Sequence, residues 1–111
     1  MDVECTSIED VRQHIDKIDR AVVSLLASRG RFVTQAARFK KTSDDVRAPA
    51  RVEQVIKKVR EFANDTGASP EVVEKVYRAM IAAFIEEELR THATYESVPL
   101  VQTCHESNGS V

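Results

Sequence analysis

The sequence predicts an all-α protein: a three-helix subunit with a long first helix, intertwined with a second copy of itself as a helical homodimer. Three observations predict it. Two lanes of mostly apolar residues recur at sevens between Ile8 and Phe39, and two later stretches carry apolar residues at three-and-four spacing. Pro49 and Pro70 stand where new helices begin. The composition agrees, with 42% hydrophobic and 31% charged residues, three Gly, three Pro and no Trp among 111 residues. That is the balance of a helical globular domain, not of a β-rich or unfolded chain.

In the first helix one lane runs Ile8, Ile15, Val22, Arg29, Ala36 and the other Val11, Ile18, Leu25, Phe32, Phe39. Together they make a coiled-coil-like seam of roughly 48 Å at 1.5 Å per residue. A helix longer than its own small domain needs an equally long partner, and a single chain of 111 residues buries little surface by itself. Thr6 or Ser7 is placed to cap the start, with Glu9 and Asp10 favoured in the first turn by the helix dipole. Gly30 costs such a helix about 1 kcal/mol relative to Ala, which points to close packing or a bend there.

Polar residues break the period over 41–48, a segment read as a loop with little apolar anchorage that orders over a bound anion. Pro49 opens a second helix with Val52, Val55, Ile56, Val59, Phe62 and Ala63 inward, and Gly67 marks its end. Ser69, Pro70 and Glu71 are a cap, a first-turn proline and a first-turn acid for the third helix. Its inward residues are Val73, Val76, Tyr77, Met80, Ile81, Phe84 and Ile85, and the pattern fades near His92. The expected organisation is therefore an extension over 1–7, a helical domain over 8–92 and a tail over 93–111.

Several functions are excluded. No apolar run approaches the roughly 20 residues that span a bilayer, and the N-terminus lacks a leader pattern, so a cytoplasmic protein without membrane partners is expected. Cys5 and Cys104 are expected as free thiols near opposite ends, and His14, His92 and His105 form no metal spacing, so neither metal nor cofactor is expected. Between Arg29 and Arg60 stand ten Lys/Arg against three acids, inside a chain of net charge -2. A basic middle in an acidic protein suits a small anion in a pocket better than nucleic acid.

Four charges sit where their surroundings are mainly apolar or where distance matters. Arg29 interrupts the seam, either as a buried ion pair, as a chain snorkelling to water or as a ligand for an anion. On a regular helix Lys40 returns to within about 20° of the Arg29 face, roughly 16 Å further along. Arg12 shares the Lys40 lane but lies about 42 Å from it on the same helix, so the two can serve one ligand only if a second copy runs antiparallel. Otherwise Arg12 is an exposed residue paired with Asp16. Glu88 prolongs the inward stripe of the third helix, either as an end residue that is solvated or pairs with a nearby Arg, or as a functional acid.

These residues carry a resemblance. The run IEDVRQHIDKIDRAVVSLLASRGRFVTQAARFK, the short loop, PAR at 49–51 and the ending AAFIEEEL resemble the all-helical chorismate mutase family over roughly Ile8 to His92. The resemblance implies long first helices paired in a dimer with two shared sites. It also implies that Arg29 and Arg51 of one chain and Arg12 of the other hold the carboxylates of a small dianion, chorismate or isochorismate. Lys40 and Glu88 would address its ether oxygen. The implied reaction, chorismate to prephenate in aromatic amino-acid biosynthesis, needs no nucleophile or cofactor, and none is evident in the sequence.

Val52 and Phe84 stand where the commonest members carry Glu and Ser. The RFK segment, the shortened loop and PAR also resemble the branch containing isochorismate-pyruvate lyases, which release pyruvate and leave salicylate. Their usual Gln donor is Glu88 here. A third expectation is a non-catalytic helical dimer that binds a related acid as a regulator.

Overall fold

In the computed structural model the described residues are 3–97, with side chains through Thr91. Four helices follow one another, α1 (Ile8–Ala37), α2 (Ser43–Arg47), α3 (Pro49–Thr66) and α4 (Pro70–Ser97). Three are long, and the described residues contain no strand. The chain divides within α1 into two units, one ending at Phe32 and the other beginning at Val33.

The N-terminal unit is the greater part of α1. Ser7 is its cap, its hydroxyl accepting from the Asp10 amide at 3.0 Å, while the Asp10 carboxylate accepts from the Thr6 amide at 3.3 Å. The first bond satisfies an amide that the first turn leaves without a helical partner, and the second ties down the residue before the cap. No residue of α1 is buried, and the lane residues Ile18, Leu25 and Phe32 are 60%, 68% and 70% exposed.

In the second unit α1 ends two residues short of the expected Phe39. The amides of Arg38, Phe39 and Lys40 turn to the carbonyls of Gln35, Ala36 and Ala37 at 3.2, 3.0 and 3.2 Å. These are three-residue bonds, tighter than α-helical ones, so the angular register counted to Lys40 on a regular helix does not apply there.

The segment expected as an unanchored loop holds α2. Thr42 caps it, accepting from the Asp45 amide at 3.1 Å, and Asp45 accepts in return from the Thr42 and Lys41 amides at 3.2 and 3.0 Å. Those two amides, with smaller help from the Thr42 hydroxyl and the Lys41 charge, hold the Asp45 carboxyl below its ordinary range. Val46 supplies the missing apolar anchor, only 2% exposed in a helix that packs on α4. A single apolar residue at one turn's distance from any other gives too short a pattern to be read as helical.

Ala48 ends α2 in the left-handed region, at φ 38° and ψ 60°, and Pro49 starts α3. The ring of Pro49 disfavours right-handed helix at the preceding residue, which separates α2 from α3. At the far end Gly67 adopts φ 83°, and its amide and that of Ala68 both return to the Ala63 carbonyl. Ser69 then caps α4, accepting from the Val72 amide at 3.2 Å.

The core lies between α3 and α4, with Ile56, Val59 and Ala63 facing Ile81. Phe62 and Val76, expected inward, are 60% and 57% exposed. Beside the core Arg78 forks onto both carboxylate oxygens of Glu53 at 2.9 Å and reaches Glu74 at 2.7 Å, which Arg60 also meets at 2.7 Å. Hydrogen bonds from Arg78 hold Glu53 below its usual range, and those from Arg78 and Arg60 do the same for Glu74. The contribution of these carboxylates is therefore present above their unfolded pKa and lost as pH falls through the depressed folded values.

Helix α4 continues to Ser97, past the fading near His92. Residues 92–97 contain no Gly or Pro to stop it, and the first such residue beyond is Pro99. Cys104, His105 and the rest of the expected tail from residue 98 lie outside the described residues. Ile56 is 4% exposed at the α3–α4 contact, so Ile56→Ala is expected to cost about 2 to 4 kcal/mol by urea unfolding, without changing the slope of the transition.

Candidate active site

Of the five site residues expected from sequence, the structure brings Lys40 and Glu88 together. The Lys40 ammonium donates to Glu88 Oε2 at 3.0 Å and to Oε1 at 3.4 Å, across 48 residues of chain. Glu88 is 6% exposed and is the one charged or polar residue among the buried set of the described residues. Lys40 keeps 23% of its side-chain surface. The carboxylate is thus the desolvated partner, and the ammonium closes it off from one side.

Local structure explains the meeting. The tight turn after Ala37 delivers Lys40, and Asp45 fixes the chain immediately beyond it through the Lys41 and Thr42 amides. Glu88 follows Ile81 and Phe84 along the inward stripe of α4, whereas Glu86 and Glu87 are exposed and Glu87 pairs with Arg90. Glu88 is therefore a buried acid paired with a cation, which removes the solvated form of the end-residue reading.

Arg51 projects from the first turn of α3, exposed, with its guanidinium on the Gln54 side-chain oxygen at 2.6 Å. Arg12, exposed, and Arg29, half-buried, belong to the N-terminal unit. A cluster that sequence reasoning missed also lies in that unit, where Cys5, Asp10 and His14 converge. Asp10 and His14 are four apart on one helix face, and that spacing was the available signal.

The described residues thus form an all-helical domain whose buried lysine–glutamate pair joins two of the positions that the resemblance implied. A family model described as chorismate mutase type II matches residues 11–89, and the chain belongs to that family. It is also 31% identical over 87 residues to an isochorismate pyruvate lyase of Pseudomonas aeruginosa, covering 78% of this chain and 86% of that protein. Both similarities support an enzyme of this family.

A buried carboxylate stripped of its paired ammonium is costly, so Lys40→Ala is expected to lower stability by about 1 to 3 kcal/mol, less than for a fully buried pair because Lys40 is partly solvated. Adding Glu88→Gln to that variant removes the orphaned charge and is expected to recover most of the loss. Thermal and urea unfolding of the single and double variants measure both effects.

Proposed function

We propose that the chain is a chorismate mutase, rearranging chorismate to prephenate without a cofactor or covalent intermediate. The observation that supports this most directly is the Lys40–Glu88 pair, a cation and a carboxyl in a largely apolar setting within a family whose model spans most of the chain. In a pericyclic rearrangement negative charge grows on the oxygen of the breaking ether bond. A preorganised ammonium lowers that barrier because its interaction strengthens as the charge develops. Glu88 donates to the same oxygen only when protonated. As a carboxylate it instead accepts from Lys40.

Arg29 and Arg51 hold the two substrate carboxylates together with Arg12 of a second subunit, and this fixes the compact conformer from which the reaction proceeds. The second subunit is expected because α1 buries none of its residues and presents Ile8, Ile15, Ile18, Val22, Leu25 and Phe32 to solvent. Two such seams packed together remove this surface from water and carry Arg12 to the other chain's site. The proposed protein is thus a homodimer with shared sites.

A second reading, isochorismate-pyruvate lyase, is favoured by the identity to the Pseudomonas aeruginosa protein of that name. Product analysis with chorismate and with isochorismate decides between them. Prephenate from chorismate at the higher kcat/KM supports the mutase, salicylate and pyruvate from isochorismate supports the lyase, and neither product rejects both in favour of a regulatory binding protein.

With whichever substrate turns over, Lys40→Ala is expected to lose about 100-fold or more in kcat while keeping its helical circular dichroism. Glu88→Ala is expected to lose more activity than Glu88→Gln, which keeps a hydrogen-bond donor, and equal rates in Glu88→Gln, Glu88→Ala and wild type would remove the donor role.

Shared sites have their own test. Mixing inactive Arg12→Ala and Lys40→Ala chains, with subunit exchange verified, is expected to restore about a quarter to a half of the activity, because each heterodimer contains one intact site. No recovery would count against shared sites.

A further inference from the structure

Outside the site just described, the N-terminal unit contains a cluster of three different donor atoms at the start of α1. Cys5 Sγ lies 3.9 Å from His14 Nδ1, His14 Nδ1 lies 3.5 Å from Asp10 Oδ1, and all three ligand atoms fall within 4.8 Å of one another. It is the only such cluster of His, Cys, Asp or Glu among the described residues. We infer that Cys5, Asp10 and His14 form a binding site for one divalent ion of the zinc class, with a solvent molecule completing the coordination.

Geometry carries this inference. A tetrahedral zinc ion bound at about 2.0 to 2.3 Å places neighbouring ligand atoms roughly 3.3 to 3.8 Å apart, and the separations of 3.9 and 3.5 Å from His14 Nδ1 are close to the edges of that tetrahedron. Asp10 and His14 stand four apart on α1, which puts both on one face of the helix, and the turn before the Ser7 cap folds Cys5 back over them. The carboxylate is oriented from behind. Oδ2 is held by the Thr6 amide at 3.3 Å, which leaves Oδ1 turned to the imidazole, the kind of supporting bond that metal ligands use.

The donor set selects the ion. Sulfur, nitrogen and a single carboxylate suit a borderline-soft transition ion and not calcium or magnesium, which take oxygen ligands. The side chains of His14 and Asp10 keep 43% and 35% of their surface, so an ion can enter and a solvent ligand can remain. Partial burial, the Asp10 charge and a hydrogen bond to Asp10 all push the Cys5 thiol up, and a bound cation reverses the electrostatic part of that cost. His14 Nδ1 also meets the Asp10 carbonyl at 2.9 Å. Binding therefore releases the thiol proton to solvent and moves the imidazole proton from Nδ1, which faces that carbonyl, to Nε2.

Cobalt(II) is the probe, because a thiolate bound to it gives a charge-transfer band absent from the free ion. The full chain is used with Cys104→Ser, His92→Ala and His105→Ala, so that Cys5 is its sole thiol and His14 its sole imidazole, and a non-thiol reductant keeps Cys5 reduced. The band is expected to saturate at one cobalt per chain, to be displaced by zinc and to vanish in Cys5→Ser. Asp10→Asn and His14→Ala are each expected to weaken binding about tenfold or more. Asp10→Asn keeps a capping acceptor, and circular dichroism of every variant separates ligand loss from unfolding. No band at one equivalent, saturation below one ion per chain, or unchanged affinity in Asp10→Asn and His14→Ala would each overturn the site. None of the three residues belongs to the proposed active site, so failure here leaves the mutase reading untouched.

Discussion

The pairing of Lys40 with Glu88 is the constraint around which the second unit is arranged. A carboxylate 6% exposed on α4 requires a cation close by, and the cation comes from a residue 48 positions earlier. To deliver it the chain must leave α1 sharply, and it does so through the tightened bonds of residues 38–40. It must then be held, which the Asp45 carboxylate accomplishes by accepting from the next two amides. Helix α2 is the structural result, and Val46 secures it against the same helix that bears Glu88. A short helix, a reciprocal cap and one buried valine thus serve a single ion pair.

The same logic distinguishes the two kinds of charged contact in this protein. The Arg60–Glu74–Arg78–Glu53 network lies at the surface of the α3–α4 contact, where solvent weakens each pair and geometric specificity is the main gain. The Lys40–Glu88 pair sits where solvent is largely absent from one partner, so removing the ammonium leaves a desolvated carboxylate, a cost the surface network does not carry.

What was legible in the sequence follows the same division. Pro49, Gly67, Ser69 and Pro70 locate helix boundaries because each acts through its own backbone preference, independently of what packs around it. Lys40 and Glu88 stand out through a family pattern and an interrupted apolar stripe, although nothing local in either segment encodes their contact. Helix α2 escapes because its apolar signal is one residue, Val46, and its helical character rests on a cap that also reads as loop chemistry. Phe62 and Val76 are misassigned for a related reason: a periodic stripe identifies one side of a helix, but how much of that side a neighbour covers depends on tertiary contact. The Cys5, Asp10 and His14 cluster is hidden because part of it depends on a turn outside the regular helix.

Ala48 imposes a different kind of rule on the sequence. It adopts a left-handed backbone at a position that is at once the C-cap of α2 and the N-cap of α3, with no side-chain bond to the helix that follows. For an L-residue with a Cβ this conformation costs about 1 to 2 kcal/mol, least for Gly and then for Asn or Asp. Selection at this position therefore acts as a backbone filter, under which β-branched residues are penalised whatever their polarity and glycine is favoured despite contributing no contact. Homologous chains sharing this junction should accordingly vary here along an axis of conformational permissiveness, where neither hydrophobicity nor charge would order the permitted residues.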